Sequence, residues 1–202
     1  MGRVVNNGRR QSGQGSDDEQ QVSGMVPLPP NRIIYISGDI TEQQISAITS
    51  TMFVLAGQDP HKPIQLIVST YGGVIDEMFG MYDVMQFIPC EVQTVGIGKI
   101  MSAGVLLLAA GAKGSRQISE NSRVMIHSIR GGAVGNIFEI INETDEMKRM
   151  QRKLTDLLVK HSSMTVQQVE KYMKAGHDCY ITPDEAVKLG LVDTIIPDKF
   201  KK

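Results

Sequence analysis

In "VGIGKIMSAGVLLLAAGAKG", residues 95–114, one serine, Ser102, separates a β-like run from a stretch so rich in Leu, Gly and Ala that it must be buried. A hydroxyl at that point has two readings. As a plain N-cap, its oxygen accepts a backbone N–H from the first turn of the following helix. As a nucleophile, it is displayed at a strand-to-helix turn, where helix N–H groups and the positive end of the helix dipole stabilise an oxyanion. The second reading has the logic of a nucleophile elbow, although "GKIMSAG" is not GxSxG. A serine nucleophile needs a base. Of the four histidines, His61 lies in the loop "DPHKP" and His161 ends a long helical pattern at "VKHSS". His127 lies in the strand "SRVMIHS", with Met125 and His127 on one face and Val124 and Ile126 on the other. A strand histidine is commonly a satisfied core residue, but this one stands on the strand that follows the candidate serine. The base in turn wants a carboxylate to fix its tautomer and stabilise imidazolium. Asp178 in "GHDCYITPDEAVKLG" is the candidate, just ahead of a helix marked by the Thr182–Glu185 capping box and Pro183. Asp184 and Asp193 compete, Asp184 being better explained by the helix dipole, and His177 is a rival base that the sequence does not exclude.

Gly72 and Gly73 in "STYGGVIDEM" follow a strand and precede a helix, so they either point backbone N–H groups at a ligand or make a plain tight turn. "GGAVG", residues 131–135, is a second Gly-rich stretch just after His127. If extended, it offers an unpaired edge to which a peptide can add as a strand. The substrate-binding candidates are Gly72, Gly73 and Val74 in the first stretch and Ser128, Ile129, Arg130 and Gly131 directly after His127.

The elements that must position these residues follow from periodicity. A strand is predicted at Ile33 to Ser37, ended by Gly38, then a helix with apolar residues at 45, 48, 52 and 55, closed by Gly57 and Pro60. "PIQLIVST" reads as a second strand, "YGG" as a turn, "VIDEMFGMYDVMQFI" as a helix before Pro89, and "EVQTVGIG" as a third strand. This alternation predicts an α/β domain with a largely parallel sheet, in which chemistry collects where strands hand over to helices. Further on, positions 137, 140, 144, 147, 151, 154 and 158 come close to a heptad seam. A helix over about 137–161 would run roughly 37 Å, longer than a small domain needs to cover its own core. Its far end should find a partner, unless it is an ordinary amphipathic helix. Residues 1–30 are polar, Gly/Ser/Gln-rich and aperiodic, a flexible N-terminal segment ahead of a single domain at 31–202.

Composition removes several function classes. Lys+Arg 21 against Asp+Glu 22 leaves a net charge of -1, with nothing to favour nucleic acid. No apolar run reaches the roughly 18 residues of a bilayer span, and the N-terminus is polar where a secretory h-region would lie, so no membrane role and a cytoplasmic location are expected. Cys90 and Cys179 form no CxxC pair, which argues for buried free thiols over a disulfide framework or a zinc site. There is no GxxxxGK[ST], so no nucleotide site is expected, and neither a metal nor a cofactor is expected.

Four blocks, "IVSTYGGVIDEMFGMYDVMQFI", "GIGKIMSAGVLLLAAGAKGSR", "NSRVMIHS" and "ITPDEAVKLGLVDTII", resemble in order, and nearly without gaps, the ClpP family, the proteolytic subunits of Clp proteases; the similarity spans about residues 30–196. The resemblance implies a ClpP/crotonase-like ββα spiral with a protruding handle helix, and a serine endopeptidase whose Ser, His and Asp fall on Ser102, His127 and Asp178. It implies oxyanion-hole amides at Gly73 and Ala103. It also implies two stacked heptameric rings joined by the handle helices, polypeptide substrates, and an ATP-driven AAA+ unfoldase as partner. Tyr71 departs from the usual Pro before the two glycines, and "HSIRGG" replaces the usual His-Gln-Pro run. The matched unfoldase-docking positions hold Gln65, Ile67 and Gln117, with only Phe87 keeping the usual aromatic, so the docking groove is altered. Two other classes stand beside the peptidase: a proteolytically silent subunit of a mixed ring, and a crotonase-like acyl-CoA enzyme that would not need Ser102.

Overall fold

A computed structural model describes residues 31–174, 176–197 and 199; the N-terminal segment expected over residues 1–30 lies outside the described residues. The elements run β1 (Ile33–Ile40), α1 (Glu42–Gln58), β2 (Ile64–Gly73), α2 (Ile75–Phe87), β3 (Val92–Met101), α3 (Ala103–Ala109), β4 (Arg116–Ser119), β5 (Arg123–Ile126), α4 (Ile137–Lys160), α5 (Val166–Met173), β6 (Cys179–Ile181), α6 (Pro183–Lys188) and β7 (Thr194–Ile196). The path β1-β2-β3-β4-β7 is parallel throughout. β3 serves two neighbours, pairing β4 through Thr94, Val95 and Gly96 and β5 through Lys99, Ile100 and Met101. β6 then adds to β5 antiparallel. The α/β class and the largely parallel sheet are those that the strand-helix alternation predicts.

The core lies between β2, β3 and their helices. Ile64, Leu66, Val68 and Ile100 are fully buried, and every residue of α3 is buried, as a parallel sheet covered on both faces requires. Val124, Met125 and Ile126 are likewise all buried, so alternation along β5 separates two covered faces and not a core face from a wet one.

Several boundaries move. β1 does not stop at Gly38 but continues to Ile40 through a register shift between Gly38 and Asp39. The "YGG" turn is part of β2, with Gly72 opposite Asp39 and Gly73 opposite Ile40. β3 extends to Met101, so that its last residue adjoins Ser102. Cys90 is a buried thiol, whereas Cys179 is only half-buried, its Sγ 3.7 Å from the Tyr172 carbonyl oxygen. Two arginines missed as structural keys are buried: Arg32 donates to the carbonyl oxygens of Leu55, Asp59, Lys62 and Pro63, and Arg116 pairs with Asp193.

α4 begins with a capping box in which Asn136 accepts from the Glu139 amide and Glu139 accepts from the Asn136 amide. Only Leu154, Thr155 and Leu158 of its 24 residues are buried. The seam positions 137 and 140 are exposed, so the first half of the helix stands away from the domain. Among the described residues no helix is long and apolar enough to cross a membrane.

Candidate active site

Ser102 occupies the single residue between β3 and α3, with φ 54° and ψ -123°. Its hydroxyl makes no cap hydrogen bond, which sets aside the plain N-cap. A non-glycine residue in this region costs about 1–3 kcal/mol and persists only where its surroundings enforce it. Here the enforcement is the buried α3 on one side and sheet pairing on the other, the Ser102 amide donating to the Met125 carbonyl at 2.9 Å. The two glycines of β2 make room. A Cβ on Gly72, whose φ is 98°, would lie 2.6 Å from Ser102 Cβ, and one on Gly73 would lie 2.2 Å from the Ile40 carbonyl oxygen. The β2 backbone therefore runs directly behind the serine because Gly72 carries no side chain, and β1 closes on β2 because Gly73 carries none.

Sheet register brings the other candidates to the same end. Met101 of β3 is paired with Met125, and Ile126 of β5 with Cys179. One residue beyond each pairing stand Ser102, His127 and Asp178. Ser102 and His127 line one cavity of about 380 Å³, together with Gly73, Val74 and Ala103 on one side and Ser128, Ile129 and Arg130 on the other. Its deeper wall is apolar, formed by Met78, Val105, Leu154 and Leu158. Gly72 lies behind the serine and Gly131 is exposed next to Met147, so neither lines the cavity. The Ile129 amide is already held by Gln151 Oε1 at 2.8 Å.

Asp178 is close in register but chemically engaged elsewhere. Its Oδ1 accepts from the Arg130 guanidinium, and it does not line the cavity. His127 Nδ1 is buried and has no hydrogen-bond partner among the described residues. Burial lowers the His127 pKa from its ordinary value and the Arg130 charge lowers it further, while Asp178 opposes both. The serine and the histidine thus line one cavity, and the carboxylate, next to the histidine by register, is on a different partner.

The rivals are occupied or remote. Asp193 accepts from Arg116 through both carboxylate oxygens and from the Gly114 and Arg116 amides. Asp184 sits in the first turn of α6, as the dipole argument has it. His177 and His61 are exposed and do not line the cavity. His161 Nε2 lies 2.9 Å from the Tyr82 hydroxyl. Arg130, read from sequence only as a substrate-flanking residue, also holds Asp178; a cation three residues after the candidate base was the available signal.

Compared with known protein families, residues 16–199 match the model of the family described as Clp protease, nearly the whole chain.

Proposed function

Because the chain belongs to the Clp protease family, we propose that it is an active serine endopeptidase subunit of a self-compartmentalised protease, cleaving peptides and unfolded polypeptides in the cytoplasm. Ser102 Oγ attacks the peptide carbonyl, and His127 takes the hydroxyl proton and returns it to the leaving amine. Asp178 orients His127 once it leaves Arg130. The amides of Gly73 and Ala103 receive the oxyanion. Ala103 is the first residue of α3, so its N–H has no acceptor within the helix. Substrate adds along residues 128–131, which follow β5 outside any strand.

The observation that carries this reading is the uncapped hydroxyl of Ser102, held at a strained dihedral in the cavity that His127 also lines. The Nδ1 of His127, without a partner among the described residues, favours a second reading, a proteolytically silent subunit of a mixed ring. Nothing in the cavity favours an acyl-CoA enzyme. Two stacked heptameric rings, fed by an AAA+ unfoldase through an altered docking groove, complete the proposal.

Fluorophosphonate labelling separates the readings. The wild-type chain should take the label and cleave short fluorogenic peptides without ATP, and Ser102→Ala should lose both. A wild-type protein that takes no label, or a Ser102→Ala variant that still hydrolyses peptides, would overturn the assignment.

A further inference from the structure

The cavity carries an asymmetry of charge that the peptidase reading does not use. Among the described residues that line it, Arg130 is the one permanently charged side chain, and no carboxylate faces it. Its side chain is 68% exposed, so the guanidinium is open to solvent while the residue lines the cavity. The carboxylate that neutralises it, Asp178, lies outside the cavity. The buried Nδ1 of His127, by register next to Asp178, has no hydrogen-bond partner among the described residues. One cation thus holds the carboxylate that an adjacent buried nitrogen lacks.

We propose that Arg130 is a specificity residue that selects substrates with an acidic side chain flanking the scissile bond, and that the arriving carboxylate releases Asp178 to His127. This rests on the peptidase reading. A guanidinium binds carboxylates through a planar fork of donors and Asp178 holds it through Nη2 alone, so a substrate carboxylate that takes the fork in a bidentate grip through Nη2 competes with Asp178 for that nitrogen. Asp178, displaced by one carboxylate for another, moves to the neighbouring acceptorless Nδ1–H. A neutral substrate offers Arg130 no replacement, and Asp178 stays where it is. The apolar wall meanwhile takes the aliphatic stem of the substrate side chain. Acidic substrates therefore gain twice, in binding and in the orientation of the base, and Arg130 acts as a positioning residue on His127 through Asp178.

The test uses the full chain and pairs of fluorogenic peptides that differ only by Glu or Gln at one of the two residues flanking the cleaved bond. The wild type should favour the Glu peptide by about a hundredfold in kcat/KM, roughly tenfold from the charge-assisted contact and roughly tenfold from the oriented base. Arg130→Gln should bring the two peptides to within about twofold and should cleave the Gln peptide faster than the wild type does, because Asp178 is then free. A merely structural arginine would slow both peptides alike. Binding is read separately by fluorescence anisotropy on Ser102→Ala, with the Glu peptide tighter by about tenfold and the difference lost in Ser102→Ala/Arg130→Gln. Equal handling of Glu and Gln by a wild type that takes the fluorophosphonate label overturns the role of Arg130 alone. A preference that survives in Arg130→Gln does the same. Absence of label and of cleavage overturns the peptidase reading, and this inference with it.

Discussion

Neutral His127 is the form that accepts the Ser102 proton, so its ionisation sets the acid limit of the proposed activity. Burial first, and Arg130 second, lower its pKa below the ordinary 6.5, because both disfavour imidazolium. The acid limb of kcat/KM reports the free enzyme, in which Arg130 holds Asp178, so its midpoint should lie below pH 6.5 and activity should be on its plateau at pH 7. Arg130→Gln removes one of the two lowering causes and lets Asp178 approach, so the midpoint should move upward. A pH–rate profile with its midpoint above 6.5 in the wild type, or unmoved in the variant, would contradict this. Much of the residue scale is legible in the chain. Ser102 stands out because a hydroxyl interrupts an apolar run, and His127 because it ends a β-branched strand. The commitment of Asp178 is not legible: a carboxylate chooses between an arginine and a histidine by three-dimensional reach, and Arg130 and Asp178 are 48 residues apart.

At the scale of elements, hydrophobic period and capping residues reveal the strands and helices, while their ends are set by tertiary pairing. Gly38, Gly72 and Gly73 look like punctuation, yet β1 and β2 run through them because each strand supplies the other's backbone partners. The joint between β4, β7, α3 and α4 is also tertiary. Arg116 donates to Asp193, to the Ala109 carbonyl at the end of α3 and to the His161 carbonyl at the end of α4. Its side chain is 6% exposed, so removing its counterion leaves a nearly dry charge. Asp193→Asn should therefore cost about 3 kcal/mol of unfolding free energy at pH 7, measured by urea titration. The Arg116 hydrogen bond is the leading cause that lowers the Asp193 pKa beneath 3.8. The stabilisation it brings is thus complete above that value and lost as pH falls through the folded pKa. The difference between wild type and variant should hold from neutrality down to about pH 4 and narrow below it. A variant as stable as the wild type at pH 7 would mean that the joint carries no such load.

For the whole molecule, the proposed rings leave their trace in what one chain fails to cover. Ile137, Phe138, Ile140 and Ile141 lie exposed in the first half of α4, and Phe138 is 75% exposed. Four large apolar side chains together at a protruding helix end mark an interaction surface. Leu154 and Leu158, in the last half, are buried in the domain and anchor the helix. The heptad-like spacing points to a helix with a partner, but spacing says nothing of where the domain ends and the neighbour begins; that division comes from the burial of residues 154, 155 and 158 alone. If facing helices join two rings here, each fully buried Ile or Phe contributes about 1.5–3 kcal/mol, repeated around the ring by symmetry. Replacing Phe138 and Ile141 by Asn removes that term without touching the core, because neither side chain packs against it. The variant should keep the helical signal and melting behaviour of a folded chain, sediment as a single ring, and lose peptidase activity with the stacked form. Unchanged sedimentation would show that Phe138 and Ile141 do not join rings.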